Sequence, residues 1–269
     1  MYVNVIITRL RASDYGCRLH NYYMGCIMYA DDLILISASI MNLQHMLDIC
    51  FSTGNELGIK FNGLKSNCLC IGSSVIKDNP LLLLDNQIIE WPDKLKYLGI
   101  WIKSSTHFEI DVSECRRKFF ISANTVLSKC KSACEMVKLK LLESHCLPLL
   151  TYAADSGCID NNSLSMFNTC WNSIYRRIFG YFRWESVRNV MACLNKLNIN
   201  YYIVNLRRVL FIKKMFVNVP NNATLMGILK TYILNNEFQT VLNKFEIDFS
   251  ASISRIYDKF HSHFVSLSL

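Results

Sequence analysis

No apolar run in this 269-residue chain approaches the roughly 20 residues needed to cross a bilayer, so no membrane partner is expected. The N-terminus, Met1-Tyr2-Val3-Asn4-Val5-Ile6-Ile7-Thr8-Arg9, has no basic leader ahead of its apolar residues. That argues against a secretory signal and for an intracellular protein, nuclear or cytoplasmic. Charged residues make up only 19% of the chain against 51% hydrophobic, which excludes a disordered polymer. Twelve cysteines are present, yet no Cys-x-x-Cys with a matching His pair is found. The close pairs are Cys68-x-Cys70 and Cys130-x-x-x-Cys134, which suit neither a zinc module nor a disulfide scaffold. Most of the cysteines sit among apolar neighbours, where a reduced thiol acts as a small hydrophobe. His261 and His263 stand among serines and read as surface residues, so no zinc is assigned.

Charge is present but uneven. Residues 1–104 balance 9 Lys+Arg against 9 Asp+Glu, whereas residues 105–269 hold 20 against 12 and supply the whole net charge of +8. A basic half beside a neutral half fits a polyanionic partner, nucleic acid first, and also ordinary solvated helix faces.

The hydrophobic pattern places the elements. Val3, Ile6, Ile7 and Leu10 have helical spacing, and Asp14-Tyr15-Gly16 then turns the chain into a short extended segment, Cys17 to Leu19. His20-Asn21 turns it back. Met24 to Met28 and Leu33 to Ser37 flank Tyr29-Ala30-Asp31-Asp32, which predicts a β-hairpin with two carboxylates at its tip. Such a pair fits a hard divalent cation, and equally a solvated turn. Ser37 or Ser39 can cap a helix carrying Leu43, Met46, Leu47, Cys50 and Phe51, which stops near Gly54 to Gly58. Asn67 to Gly72, Leu81 to Ile89 (folded about Asp85-Asn86) and Lys96 to Ile102 are strand candidates. From Phe108 onward the pattern predicts helices only. The first runs along Val112, Cys115, Phe119, Ala123, Val126, Cys130 and Cys134; the second spans Val137 to about Tyr152 and is kinked by Pro148. A third carries Leu164, Phe167, Trp171, Ile174 and Ile178 and ends at Gly180. Val187 to Leu197, Tyr201 to Phe216, Thr224 to Ile247 and a last stretch to about Phe264 follow. The fold class is α+β, with a boundary near residue 104.

The order of signals resembles the palm of a reverse transcriptase, an RNA-directed DNA polymerase, of the non-LTR (LINE-type) retrotransposons. The carriers are Gly16-Cys17, Tyr29-Ala30-Asp31-Asp32, Leu43-Gln44-His45-Met46-Leu47, Lys60-Phe61-Asn62-Gly63-Leu64-Lys65-Ser66 and Lys96-Tyr97-Leu98-Gly99. Pro148 to Tyr152 and Trp171 to Gly180 resemble the thumb and post-thumb region of the same elements. The resemblance implies a partial palm over 1–104, a helical thumb-like region over 105–216 and a helical extension over 217–269. It implies that Asp31 and Asp32 hold catalytic Mg²⁺ for two-metal phosphoryl transfer. Tyr29 would pack under the primer terminus and Lys65 approach the triphosphate. Tyr97, Leu98 and Gly99 would form the turn that grips the primer. Arg116, Arg117, Lys129, Lys131, Arg176 and Arg177 would meet the backbone of the RNA template and DNA primer, with deoxynucleoside triphosphates as the other substrate.

Some family features are absent. The 28 residues ahead of Tyr29 are too few for the third catalytic carboxylate on its own strand, the following helix and the fingers. No endonuclease motif and no Cys/His knuckle appear. The expectation is therefore a polymerase fragment that is inactive alone. The alternatives are a non-catalytic nucleic-acid-binding module, or an active enzyme whose N-terminal part lies outside this sequence.

Overall fold

The computed structural model describes residues 3–19, 21–72, 80–152, 154, 159–218 and 222–266; His20, half of the turn expected at His20-Asn21, lies outside them. The chain is α+β and divides into two compact units, residues 1–96 with 103–108, and residues 97–102 with 109–269. No helix among the described residues is long and apolar enough to cross a membrane.

In the first unit, α1 (Val3–Ala12) leads into the paired strands β1 (Arg18–Leu19) and β2 (Tyr22–Tyr23). The hairpin β3 (Cys26–Tyr29) and β4 (Asp32–Leu35) follows, and then α2 (Ile40–Leu57). α2 ends at Gly58 in the left-handed region, φ 70°, as a glycine C-cap does. Ser39 holds the N-cap position but makes no side-chain cap; the Ser37 hydroxyl accepts the Ser39 N–H instead. α2 is the wall between two small cores. On one face Met46 and Cys50 join Ile6, Leu10 and Tyr23. On the other, Ile40, Leu43, Leu47 and Phe51 cover Leu82, Leu84 and Ile89. Leu84 belongs to β5 (Leu83–Leu84), while Leu82 and Ile89 flank the hairpin it makes with β6 (Gln87–Ile88), folded about Asp85 and Asn86 at φ 52° and 58°. Asp and Asn are the side chains that tolerate those angles best.

β7 (Lys94–Tyr97), β8 (Ile100–Lys103) and β9 (Glu109–Asp111) are hydrogen-bonded in chain order. The expected strand over Asn67 to Gly72 is reduced to two isolated parallel bridges, Asn67 to Glu90 and Ile71 to Ser105. β9 lies where only helix was expected. Three residues carry too little periodicity to announce a strand.

The second unit continues as helices on one core. α3 (Ser113–Lys129) stops before the expected Cys134, which instead precedes α4 (Glu135–His145). The helix expected to run through Pro148 with a kink is broken at Cys146, and α5 (Leu147–Thr151) begins there. Pro148 sits in the first turn of α5, where a missing N–H costs nothing. α6 (Asn161–Phe179) is capped by the Asp160 carboxylate and closed by Gly180 at φ 72°. α7 (Arg188–Cys193) is shorter than expected, and Asn200–Arg207 is π-helical before α8 (Arg208–Asn218). The single helix expected over Thr224 to Ile247 is two, α9 (Ala223–Ile233) and α10 (Asn236–Lys244); α11 (Ile253–Ser266) completes the chain. Phe119, Trp171, Tyr175 and Phe179 contact in series, with centroids 6.2, 5.6 and 5.9 Å apart. His263, read from sequence as a surface residue, instead packs on Tyr201 and Phe245, its ring 5.7 and 4.8 Å from theirs.

Candidate functional site

The pairing Cys26 to Leu35, Ile27 to Ile34, Met28 to Leu33 and Tyr29 to Asp32 leaves Ala30 and Asp31 as the two loop residues. Period-two alternation then sorts the side chains. Cys26, Leu33 and Leu35 turn inward onto the core of Ile6, Leu10, Tyr23, Met46 and Cys50. Tyr29 and Asp32 share the other face with Ile27, and Tyr29 is 61% exposed. Asp31 and Asp32 are both exposed, and their carboxylates make no hydrogen bond or ion pair among the described residues. Ala30 adopts φ 50°, a left-handed angle that costs a residue with a Cβ roughly 1–2 kcal/mol. The tight turn is therefore held by its supports.

Those supports are specific. The Cys17 N–H donates to Ile36 O (2.9 Å), the Met24 N–H to Cys17 O (2.8 Å) and the Ile36 N–H to Gly25 O (2.8 Å), which ties the base of the hairpin to the preceding strands. Gly16 (φ 96°) and Gly25 lie back to back under the Tyr23 ring. A Cβ on Gly25 would stand 2.8 Å from Gly16 Cα and 2.7 Å from Tyr23 Cζ. Burial pushes the Tyr23 phenol up to about 12 and the Cys50 thiol likewise to about 12, so both stay neutral in this core. Arg9 forks onto Glu56 (2.9 and 2.6 Å) and reaches the buried Thr53 hydroxyl at 3.1 Å, tying α1 to α2. That hydrogen bond holds the Glu56 carboxyl below its ordinary value. Gly16-Cys17 was legible as a motif. Gly25 and Tyr23 were not, because a close backbone approach has no sequence period.

Lys65 ends a 3₁₀ turn, Gly63–Lys65, whose first turn is capped by Asn62 Oδ1 accepting the Lys65 N–H at 3.3 Å. Its side chain is exposed. In the second unit Leu98 (φ 44°) and Gly99 (φ 85°) make a tight turn. Tyr152 donates its hydroxyl to Leu98 O at 3.1 Å. A Cβ on Gly99 would lie 3.5 Å from the Tyr152 ring, so the turn is seated on that ring. Tyr97 precedes it, half-buried.

Of the basic side chains, Arg116, Lys129, Lys131 and Arg177 are exposed. Arg117 is exposed too, but it forks onto Glu114 at 2.7 and 2.8 Å, which cancels most of its local charge. Arg177 donates to Asn124 Oδ1 (2.7 Å), and half-buried Arg176 donates through Nε to Glu185 O (2.9 Å).

No group of three or more His, Cys, Asp or Glu side chains forms a metal cluster among the described residues. Asp31 and Asp32 are hard-oxygen donors. They fit one Mg²⁺, an ion commonly held by one or two carboxylates together with substrate phosphates. They do not by themselves bridge two ions.

Comparison with known proteins agrees with the hairpin. A model of the reverse transcriptase (RNA-dependent DNA polymerase) family matches residues 1–102. Residues 1–102 are thus similar to that family over rather less than half of the chain. No curated protein and no solved structure matches the chain.

Proposed function

We propose that residues 1–104 are part of the palm of a non-LTR (LINE-type) reverse transcriptase, and that the chain alone does not polymerise. The observation that carries this reading is the exposed Asp31-Asp32 pair at the tip of the β3–β4 hairpin, Asp31 in the turn and Asp32 opening β4, within the stretch matched by the family. A bound divalent ion supplies Lewis-acid stabilisation of phosphoryl oxygens. Asp31 and Asp32 hold that ion, and Tyr29 offers an exposed ring beside them for the primer terminus. Lys65 approaches the triphosphate, and the Tyr97-Leu98-Gly99 turn grips the primer backbone. Residues 105–216 serve as a thumb that meets template–primer phosphates, with 217–269 as an extension. A two-ion site takes a further bridging carboxylate, and the described residues do not bring one to the hairpin. That is why polymerisation is not expected of this chain.

The test is primer extension by the purified 269-residue protein on an RNA template with Mg²⁺ or Mn²⁺. Incorporation at background is expected. Extension that disappears in Asp31→Ala would show that the site is complete and overturn the inactivity. A second reading, a nucleic-acid-binding module without chemistry, is favoured by the charge: all of the net +8 lies in residues 105–269. The same protein then binds an RNA–DNA hybrid, and Asp31→Asn leaves that binding unchanged.

A further inference from the structure

The loop after α6 carries a feature that the polymerase reading does not use. Phe182 and Trp184 are stacked with their planes 1° apart and centroids 5.0 Å apart. They are nevertheless 63% and 80% exposed. Isolated surface aromatics are ordinary, but two rings held parallel in water are not. The loop is built to hold them. The Glu185 N–H donates to Phe182 O (3.2 Å), closing a turn, and the Glu185 carboxylate accepts the Phe182 N–H. Arg176 donates to Glu185 O from below, and the Tyr181 N–H donates to Arg176 O (3.0 Å). Each ring covers one face of the other and leaves an outer face open.

The geometry points to a stacking platform for an unpaired nucleobase, with a single-stranded nucleic acid as its ligand. Arg183, between the two rings in sequence, is exposed, and Arg177 is exposed in the last turn of α6. The only acid in the loop, Glu185, already accepts a backbone N–H. Aromatic faces accept any base, and flanking cations meet the phosphates on either side, which is how sequence-blind single-strand binding is assembled. A base on the outer face of Trp184 would extend the existing stack by one ring. This deepens the nucleic-acid reading of the second unit and rests on it. It adds a preference for single strands that phosphate contacts alone do not give.

The experiment uses the full-length chain and a labelled single strand of roughly 12 nucleotides, a duplex of equal length and an abasic strand. Trp184→Ala is expected to weaken the base-bearing strand about 5- to 150-fold while leaving duplex and abasic strand unchanged. Trp184→Phe keeps most of the affinity. The salt slope stays the same, because no phosphate contact is lost. Equal loss on all three ligands, or no loss on the single strand, overturns the platform. If the parent binds duplex yet Trp184→Ala changes nothing, the platform fails and the phosphate-binding reading stands. If the parent binds none of the three at low salt, both fail. Binding to anionic vesicles that is lost in Trp184→Ala, with oligonucleotide binding intact, would assign the rings to a membrane surface and also overturn it.

Discussion

Replacing Gly25 by alanine tests the account of the β3–β4 hairpin most directly. The new Cβ would fall 2.7 Å from Tyr23 Cζ and Oη and 2.8 Å from Gly16 Cα. Backbone cannot yield cheaply on the Gly16 side. On the other side the Tyr23 ring is wedged among Ile6, Leu10, Met46 and Cys50. Overpacking of this kind costs about 1–3 kcal/mol. The bonds nearest the insult are those from Met24 to Cys17 and from Ile36 to Gly25, so the hairpin base opens first. Hydrogen exchange followed by mass spectrometry on the full chain reads this locally. Amides of residues 16–36 are expected to exchange about 5- to 150-fold faster, a tenfold change corresponding to about 1.4 kcal/mol. Peptides from α6 should not change. Gly58→Ala is the control: its Cβ meets nothing within 4 Å, so only the left-handed φ of 70° is penalised, by about 1 kcal/mol at the end of α2. Protection of residues 16–36 identical in parent and Gly25→Ala would refute the close-approach account.

Other outcomes follow from the same geometry. Arg116→Ala should flatten the salt dependence of duplex binding by about 0.9 in log–log slope, whereas Arg117→Ala should leave it nearly unchanged, because Glu114 already neutralises that guanidinium. Burial raises both Tyr23 and Tyr175, so the native state favours neutral phenols. Stability is therefore full below pH 10 and falls as pH rises toward 12, by at most about 1.4 kcal/mol per unit for each group; chemical denaturation across pH 8–12 checks the sign. Tyr175→Phe removes a buried hydroxyl that has no protein partner and should be neutral or stabilising within about 1 kcal/mol, whereas Trp171→Ala should cost about 3–5 kcal/mol in the same melts. Of the described cysteines, exposed Cys134 and Cys193 should react first with a thiol reagent at pH 8. Buried Cys50, pushed up to about 12, should react only on unfolding, and half-buried Cys68, pushed up to about 11, should react far more slowly than the exposed pair.

Much of this was legible in the sequence, for physical reasons that differ by element. The hairpin was readable because two short continuous apolar runs, Met24 to Met28 and Leu33 to Ser37, flank a polar tip. α6 was readable because its stripe from Leu164 to Ile178 spans several turns and ends at a glycine. Helix breaks were harder. Cys130 and Cys134 continue the apolar spacing of α3, yet backbone groups turn there, since a stripe says which face is buried and not where hydrogen bonding stops. Pro148 was visible, but a proline marks a helix start as readily as a kink. The Tyr152 hydroxyl on Leu98, and the Phe182–Trp184 stack, join residues through space or by ring orientation, and no local pattern encodes either.

The two-faced packing of α2 also has a consequence for how the chain is made. Its Met46–Cys50 face can find Ile6, Leu10 and Tyr23 as soon as α2 has left the ribosome, since those partners were synthesised first. Its other face, Ile40, Leu43, Leu47 and Phe51, has no such cover until Leu82, Leu84 and Ile89 emerge. At about 5–20 residues per second, a stretch of some 40 residues leaves that apolar face bare for about 2–8 seconds. During that interval the nascent first unit is a half-closed structure with one sticky side, and this is the window in which a chaperone, or a neighbouring nascent chain, would find it.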